Sequence, residues 1–275
     1  MALEFELIHV DSISHRAVLL FHGMTGSPFE LKKYGKYLYG LGYDVYADCL
    51  PGHGGKSRDI YTVKYRDWLD FSYNKFEELY SKYDEVFISG LCLGAVLAIA
   101  VAQKYPDKVK GVIALSTTLF LDGWRLPWYS FMLPLGLTTL LRFYYTYPEC
   151  DPHGIKNIKT RNIVKKLLQK GDVGMNDFPM TCIFELFKLS RFVRNKKLMR
   201  KVVAPILFIH SKEDDLTSPK GSQVVYDAIS SADKKMIILK DSYHMVLYDN
   251  EKDYVFEAAG NFLNSHSLIK EYVLC

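Results

Sequence analysis

The chain has 275 residues, of which 49% are hydrophobic and 24% are charged, and its formal net charge is +4. This length accommodates one large α/β domain with an insertion, and the composition is that of an ordinary globular protein. The weak positive charge does not predict nucleic-acid binding, no apolar stretch is long and unbroken enough to predict a transmembrane segment, and no ligand spacing predicts a metal site.

Strand-like and helix-like runs alternate through the first 118 residues. The apolar run 17–21 is typical of a strand buried on both faces. The strands predicted in this part are residues 17–21, 43–47, 84–89 and 112–115, and the helices are residues 27–40, 65–80 and 95–104.

The pattern changes at about residue 119 and resumes at about residue 202. Residues 119–201 are rich in aromatic residues and helix formers and contain no clear buried strand. Beyond them we predict strands at 206–209 and 235–239 and helices at 221–230 and 251–263. The order of elements predicts an α/β protein with a mostly parallel central sheet and helices on both faces. The core would comprise residues 1–118 and 202–275, with residues 119–201 inserted as a helical cap.

Residues 90–94 carry the most informative motif in the chain. They read Gly90-Leu91-Cys92-Leu93-Gly94, between a predicted strand and a predicted helix. This Gly-x-nucleophile-x-Gly pattern is typical of a nucleophile elbow, where a tight strand-to-helix turn leaves little room for a Cβ atom on either side. The motif therefore predicts covalent catalysis of acyl transfer, with Cys92 as the nucleophile.

A cysteine nucleophile needs a base and a group that orients the base. In an elbow-type enzyme these follow the nucleophile as an acid and then a histidine. Asp214 and Asp215 lie on the loop after the strand 206–209, and His244 lies on the loop after the last predicted strand. Because the carboxyl ends of parallel strands meet at one edge of a sheet, we expect His244 and one of the two aspartates to converge on Cys92.

Two backbone N–H groups are expected to bind the oxyanion of the reaction. One belongs to Leu93, the residue after the nucleophile. The other belongs to the loop after the first buried strand, where His22-Gly23-Met24-Thr25-Gly26 stands, and we predict Met24 as the donor.

Four stretches of the chain resemble the α/β-hydrolase superfamily, and within it the bacterial carboxylesterase and monoacylglycerol-lipase group of the serine aminopeptidase S33 type. The resemblance implies an ester hydrolase that needs no cofactor, with Asp214 rather than Asp215 as the acid and a cap that sets substrate choice. The motifs that carry it are residues 22–26, 51–54 and 90–94, Asp214 with Pro219, and His244.

Cys92 departs from this family, in which serine stands at the elbow. A thiolate–imidazolium pair suits thioesters and activated acyl groups, whereas the tetrahedral intermediate of a plain ester expels the thiolate more readily than the alkoxide. The sequence therefore leaves several functions open. These are an ester or thioester hydrolase acting through an acyl-cysteine, an acyltransferase from a thioester to an alcohol or amine, a catalytically silent acyl-binding protein, and an esterase with an engineered Ser-to-Cys change.

The remaining signals concern substrate, partners and location. Aromatic residues of the cap, Trp124, Trp128 and Phe131, are predicted to line an acyl-chain pocket. A basic run at residues 191–201 is either a solvated helix face or a contact for acyl-coenzyme A, an acyl carrier protein or anionic lipid. The five cysteines are an odd and scattered set in a chain without an export-like N-terminus, which predicts a cytoplasmic protein without disulfides. The sequence does not predict an oligomeric state.

Overall fold

A computed structural model of the protein describes residues 5–7, 15–54, 59–126, 137–148, 150–169 and 177–268. Nine strands lie within these residues: β1 (Phe5–Leu7), β2 (Arg16–Phe21), β3 (Asp44–Ala47), β4 (Glu85–Leu91), β5 (Gly111–Leu115), β6 (Thr146–Pro148), β7 (Asp177–Pro179), β8 (Ile206–Ser211) and β9 (Lys234–Leu239).

The helices lie between these strands and after the last of them. Eight α-helices lie within the described residues: α1 (Lys32–Gly40), α2 (Tyr65–Tyr80), α3 (Leu93–Lys104), α4 (Ile158–Gln169), α5 (Met180–Val193), α6 (Lys196–Met199), α7 (Lys220–Ala228) and α8 (Lys252–His266). None of the helices in this part of the chain has the length and apolar character needed to cross a bilayer.

Seven strands form the central sheet, in the order β1-β3-β2-β4-β5-β8-β9. Only β1 runs antiparallel to its neighbour, and the other adjacent pairs are parallel. Strands β2, β4, β5 and β8 are buried along their whole length because helices cover both faces. Helices α1 and α8 pack on one face, and α2, α3 and α7 pack on the other. The predicted mostly parallel α/β sheet is confirmed.

The predicted elements differ from the observed ones mainly at their ends. Helix α2 spans the residues predicted for it. The predicted helix 27–40 begins as a 3₁₀ turn at Pro28–Leu31 and becomes α-helical at Lys32. Proline has a fixed φ and no N–H, so it is tolerated in a first turn and leaves the short turn to start the helix. Strand β1 was not predicted, because three residues are too few to display an alternating pattern.

The chain between β5 and β8 leaves the sheet and returns to it, since these two strands are adjacent. It contains α4, α5 and α6 together with a short antiparallel pair, β6 with β7, that the sequence did not predict. Helix α5 packs on α2 and α3 through buried side chains that include Leu186 and Leu189. The carboxylate of Glu185 accepts a hydrogen bond from the backbone N–H of Tyr65, at the first residue of α2. This segment is thereby anchored to the helices that flank β4.

Candidate active site

Cys92 occupies the tight turn between β4 and α3. Its φ is 59° and its ψ is −115°, a backbone conformation that non-glycine residues rarely adopt and that costs about 1–3 kcal/mol. A Cβ added to Gly90 would lie 2.1 Å from the carbonyl oxygen of Gly94, and one added to Gly94 would lie 2.0 Å from the carbonyl oxygen of Phe21. The two glycines therefore permit the close approach of α3 to the ends of β2 and β4, which holds Cys92 in this conformation.

The sulfur of Cys92 is buried among hydrogen-bond donors. The hydroxyl of Thr118, three residues beyond β5, lies 3.3 Å from it. Burial opposes ionisation of the thiol, whereas the charge of the nearby His244 imidazole favours it. The Thr118 hydroxyl and the nearby backbone of Met24 also favour the thiolate. Together they lower the pKa of Cys92 below its usual value, which favours a thiolate.

His244 lies between Cys92 and Asp214. Its Nδ1 donates to Oδ2 of Asp214 at 2.8 Å. Its Nε2 is buried and makes no hydrogen bond within the described residues, and the Cys92 thiol lies close enough for the two groups to shift each other's pKa. Burial would lower the pKa of the imidazole, but the charges of Asp214 and Cys92 and the hydrogen bond to Asp214 raise it well above its usual value. The arrangement favours an imidazolium that faces a thiolate.

Asp214 is held as a carboxylate by donors on both of its oxygen atoms. Its Oδ1 accepts the backbone N–H groups of Leu216 and Thr217, each at 2.9 Å. Its Oδ2 accepts the hydrogen bond from Nδ1 of His244 and lies 3.4 Å from Nε2 of the buried His210. Burial raises the pKa of this carboxyl, but the charge of His244 and the hydrogen bonds from both histidines outweigh burial and hold it well below its usual range.

The neighbouring Asp215 is placed differently. Its Oδ1 accepts the backbone N–H of His244 at 3.4 Å, and its Oδ2 lies 3.6 Å from Nε of Arg125. Burial raises the pKa of Asp215. The charge of His244 lowers this pKa and that of Asp214 raises it, so that it stays above its usual value. Of the two aspartates, only Asp214 contacts the imidazole ring of His244.

The loop after β2 also approaches Cys92, since a Cβ added to Gly23 would lie 3.4 Å from the Cβ of Cys92. Its Met24 adjoins the thiol, and Leu93 is the first residue of α3, where backbone N–H groups have no partner within the helix. Two side chains hold this loop. Nδ1–H of His22 donates to the carbonyl of Gly23 at 2.8 Å, and a carboxylate oxygen of Glu30 accepts the N–H of Gly23 at 3.1 Å.

A cavity opens at Cys92 and His244, and most of its described lining is apolar. Apolar side chains from four parts of the chain contribute to it: Met24, Phe29, Ile155, Val164, Phe178, Leu216 and Met245.

The described lining includes none of the aromatic residues predicted to bind substrate, which are Trp124, Trp128 and Phe131. Trp124 is 58% exposed and does not line the described part of the cavity. Its indole N–H donates to the carbonyl of Glu213 at 2.9 Å, and its ring packs against Tyr243. Trp124 thus fastens its segment to the two loops that carry Asp214 and His244. Trp128 and Phe131 lie outside the described residues.

The segment between β5 and β8 also contacts the His244 loop through Asp249. The buried carboxylate of Asp249 accepts the backbone N–H groups of Lys156, Asn157 and Tyr243 at 2.7–2.8 Å. The ammonium of Lys156 binds Glu213 on the neighbouring loop at 2.6 Å. These contacts connect the inserted segment to both loops of the candidate site.

Three residues of the site were not singled out in the sequence: Thr118, Glu30 and Asp249. Thr118 and Glu30 each follow a central strand within ten residues, and this is the sequence signal that places them near the elbow. The pattern does not distinguish them from the other polar residues of their loops, because hydrogen-bond partners depend on the folded backbone.

Comparisons with known proteins show which family the chain resembles over most of its length. Residues 13–253 match the family described as serine aminopeptidase, S33. The thermostable monoacylglycerol lipase of Bacillus sp. (strain H-257) is 23% identical over 251 residues, which is 91% of each chain. The carboxylesterase of Bacillus subtilis (strain 168) is 23% identical over 252 residues, covering 90% of this chain and 92% of that one.

The fold is also that of solved lipases. The crystal structure of the Paleococcus ferrophilus monoacylglycerol lipase has a TM-score of 0.75 and 24% identity, covering 91% of this chain and 94% of that one. Because the family match spans most of the chain, the predicted resemblance is confirmed: the protein belongs to the serine aminopeptidase S33 family and is an α/β-hydrolase of the carboxylic-ester hydrolase kind.

Proposed function

We propose that the protein cleaves an ester or thioester of an apolar acyl group through a covalent acyl-cysteine. Cys92 attacks the acyl carbonyl, His244 carries the proton to the leaving group and later accepts one from water, and Asp214 holds the imidazole in place. The backbone N–H groups of Met24 and Leu93 bind the oxyanion, where each donor is typically worth about 3 kcal/mol. No step requires a cofactor.

One observation carries this proposal. His244 is hydrogen-bonded to Asp214 through Nδ1 at 2.8 Å while its other ring nitrogen adjoins the Cys92 sulfur. The shifts of the two pKa values are opposite, upward for His244 and downward for Cys92. Opposite shifts in adjacent groups are what an ion pair produces, and a thiolate–imidazolium pair is the reactive form of a cysteine nucleophile.

The chemistry of the pair favours thioesters over plain esters. In acylation the tetrahedral intermediate expels either the Cys92 thiolate or the leaving group of the substrate. A thiolate leaving group matches Cys92 in basicity, whereas an alkoxide must be protonated by His244 as it departs. We therefore propose acyl thioesters and activated esters as the best substrates.

The lining of the cavity supports an apolar acyl group. Side chains such as Phe178, Val164 and Met245 offer no hydrogen-bond donors or acceptors comparable to a hydroxyl or amide, so they suit a hydrocarbon chain. Relatives include a monoacylglycerol lipase and a carboxylesterase. We propose medium-chain acyl groups, including monoacylglycerols, as the first esters to test, and residues 119–201 as the cap that selects among them.

A basic surface supports a second candidate, acyl transfer from a phosphate-bearing or acidic carrier. Residues 191–201 include six cations and no acid, and all six cations are exposed: Arg191, Arg194, Lys196, Lys197, Arg200 and Lys201. Phe120 lies beneath the guanidinium of Arg194, two residues beyond the Thr118 hydroxyl that contacts Cys92. Acyl-coenzyme A or an acyl carrier protein bound here would interact with these cations through its negative charges.

The two candidates differ in the fate of the acyl group, which intact-protein mass spectrometry follows directly. The protein is mixed with a medium-chain acyl thioester and, separately, with the matching p-nitrophenyl ester. A hydrolase shows transient acylation of Cys92 and release of free acid. A transferase shows an adduct that persists in water and clears when an alcohol or amine is added.

The Cys92→Ala variant is the control for both outcomes. Its failure to acquire the acyl mass assigns the adduct to Cys92. An adduct of equal yield in this variant, or turnover of either substrate without Cys92, would overturn the proposed mechanism. Saturable substrate binding without any adduct in the unmodified protein would identify a silent acyl-binding protein instead.

The proposed location is the cytoplasm, where reducing conditions keep thiols free. None of the described cysteines forms a disulfide, so the Cys92 thiol is free to react.

A further inference from the structure

Thr118 makes two contacts with a single hydroxyl. Its Oγ1 lies 3.3 Å from the sulfur of Cys92 and 3.0 Å from the carbonyl oxygen of Ser116. The side chain is buried, so water does not compete for either contact. A hydroxyl has one hydrogen to donate, and it can accept hydrogen bonds through its lone pairs.

The protonation state of Cys92 decides where that hydrogen points. A neutral thiol can donate to Thr118 Oγ1, which leaves the hydroxyl hydrogen with the carbonyl of Ser116. A thiolate has no hydrogen and only accepts, and a charged acceptor forms the stronger bond. The hydroxyl therefore gains by turning its hydrogen to the sulfur when the thiol ionises.

We propose that Thr118 is a catalytic residue, whose hydroxyl donates to the Cys92 sulfur whenever that atom bears negative charge. This inference rests on the proposed role of Cys92 as nucleophile. It goes beyond the triad and the oxyanion donors because it assigns a donor to the sulfur itself, which a serine elbow does not need in the same way.

Thr118 has an observed hydrogen bond to the sulfur, and it differs from Met24 and His244 in its proposed part in the reaction. In acylation the N–H of Met24 binds the oxyanion, and His244 delivers its proton to the leaving group of the substrate. Thr118 is then the donor that has no other partner in the reaction. Thr118 lies three residues after β5, and β5 pairs with β4, the strand that leads into the turn at Cys92.

The role is most direct in deacylation. Water attacks the carbonyl carbon of the acyl-cysteine, and His244 takes its proton as the new C–O bond forms. The C–S bond then breaks and its electron pair moves to the Cys92 sulfur, while the carboxylic acid leaves. The developing thiolate charge receives the hydrogen bond of Thr118, so this donor lowers the energy of the step that releases the enzyme.

The test compares Thr118→Val, Thr118→Ser and Thr117→Val. Valine keeps the shape of threonine and removes the hydroxyl, whereas serine keeps the hydroxyl. Thr117 is the matched control, because its buried Oγ1 makes no hydrogen bond within the described residues. The readouts are the pH dependence of alkylation of Cys92 by iodoacetamide, followed on the Cys92 peptide by mass spectrometry, and the rate at which isolated acyl-Cys92 loses its acyl group.

In Thr118→Val we expect the pKa of Cys92 to rise by about one unit, which lowers its thiolate fraction on the acid side about tenfold, and deacylation to slow about tenfold. Thr118→Ser is expected to retain both values, and Thr117→Val to match the unmodified protein. Equal pKa and deacylation rate in Thr118→Val and Thr117→Val would overturn the proposal. If Thr118→Val does not fold, Thr118→Ala also removes the hydroxyl and provides the same comparison.

The outcome separates this proposal from the proposed function. If the unmodified protein forms no acyl adduct, the function fails, yet the alkylation profile still tests whether Thr118 stabilises the thiolate. If the adduct forms and clears while the Thr118 variants behave as the unmodified protein, the function stands and Thr118 has no part in it. A thermal unfolding curve for each variant excludes a general loss of structure.

Discussion

Asp214 contacts the Nδ1 atom of His244, whereas Asp215, the next residue, contacts only the backbone N–H of the same histidine. The difference supports the proposed orienting role of Asp214, since this carboxylate accepts the Nδ1 hydrogen and so favours the tautomer that leaves Nε2 free. Changing Asp214 to Asn removes the charge and permits the wrong tautomer. We expect Asp214→Asn to lower kcat roughly a thousandfold with a small effect on KM, measured with an activated acyl ester.

Asp215→Asn is the matched control for that change. Its carboxyl has a raised pKa and makes no hydrogen bond to the His244 ring, so loss of its charge should cost far less activity. A loss of activity in Asp215→Asn as large as that in Asp214→Asn would show that the assignment of the two acids is wrong.

His244 is expected to control the ionisation of Cys92. After burial, which opposes ionisation, the charge of this imidazole has the largest effect on the pKa of the thiol, and it lowers that pKa. Replacing His244 with Gln removes the charge and leaves burial in place, so the pKa of Cys92 should rise above its ordinary value. Thiolate absorbance near 240 nm, corrected with Cys92→Ala, measures it. An unchanged absorbance titration would mean that the two side chains do not form an ion pair.

Exchange of the nucleophile should change the preferred substrate. With Cys92, we expect kcat/KM for an acyl thioester to exceed that for the matching alkyl ester by about tenfold or more. In the intermediate formed from the alkyl ester, the Cys92 thiolate leaves more readily than the alkoxide, which returns the substrate unchanged. In Cys92→Ser the attacking alkoxide is as basic as the leaving alkoxide, so this ratio should fall. Paired assays on both substrates give the ratio without reference to enzyme concentration. A ratio that does not change between cysteine and serine would contradict the argument.

The sequence predicted the parts of this protein that follow from regular patterns. Continuous apolar runs predicted β2, β4, β5 and β8, because strands covered on both faces are buried throughout. The order of elements predicted that the loops carrying Cys92, Asp214 and His244 would meet, since carboxyl ends of parallel strands share one edge. Their roles in the reaction stay proposals.

Other features depend on contacts that no local pattern encodes. Trp124 belongs to an aromatic cluster in the sequence, but its N–H finds the Glu213 carbonyl and its ring lies on Tyr243. Thr118 resembles its neighbours Thr117 and Ser116 in the sequence, and only the folded turn brings its hydroxyl to the sulfur. The short pair β6 with β7 is held by pairing with a distant segment rather than by its own periodicity.

The elbow glycines should be required for stability as well as for catalysis. In Gly94→Ala the new Cβ would meet backbone atoms, which cannot move aside as a flexible side chain would. We expect a loss of roughly 3 kcal/mol or more in the free energy of unfolding, measured with denaturant. Gly40→Ala is the matched control, because this exposed helical position has no atom within 4 Å of the added Cβ. It should stabilise the protein by about 0.5–1 kcal/mol. Equal effects at both positions would contradict the packing argument.

Two buried histidines, His22 in the loop after β2 and the neighbouring His53, should make the fold sensitive to acid. His22 and His53 lie with their ring centroids 5.0 Å apart. Burial, followed by the charge of the other ring, lowers the pKa of His22 to about 3, and burial lowers the pKa of His53 to about 4. Both values lie below the ordinary value near 6.5. At a pH between the lowered and the ordinary value, each histidine is protonated in the unfolded chain but neutral in the folded one. Stability must therefore fall as pH drops below about 6.5.

The variant His53→Asn isolates this effect. Asparagine keeps a side-chain N–H for the carbonyl of Pro51, which His53 contacts at 3.1 Å, and it does not titrate. Each buried neutral histidine contributes a slope of up to about 1.4 kcal/mol per pH unit between its folded and unfolded pKa values. Between pH 6 and pH 5, urea unfolding should give a shallower loss of stability in the variant. His244 has the opposite sign, because its raised pKa stabilises the folded protein most fully below pH 6.5, and it is common to both proteins. Parallel curves for the two proteins would mean that His53 is already protonated in the fold.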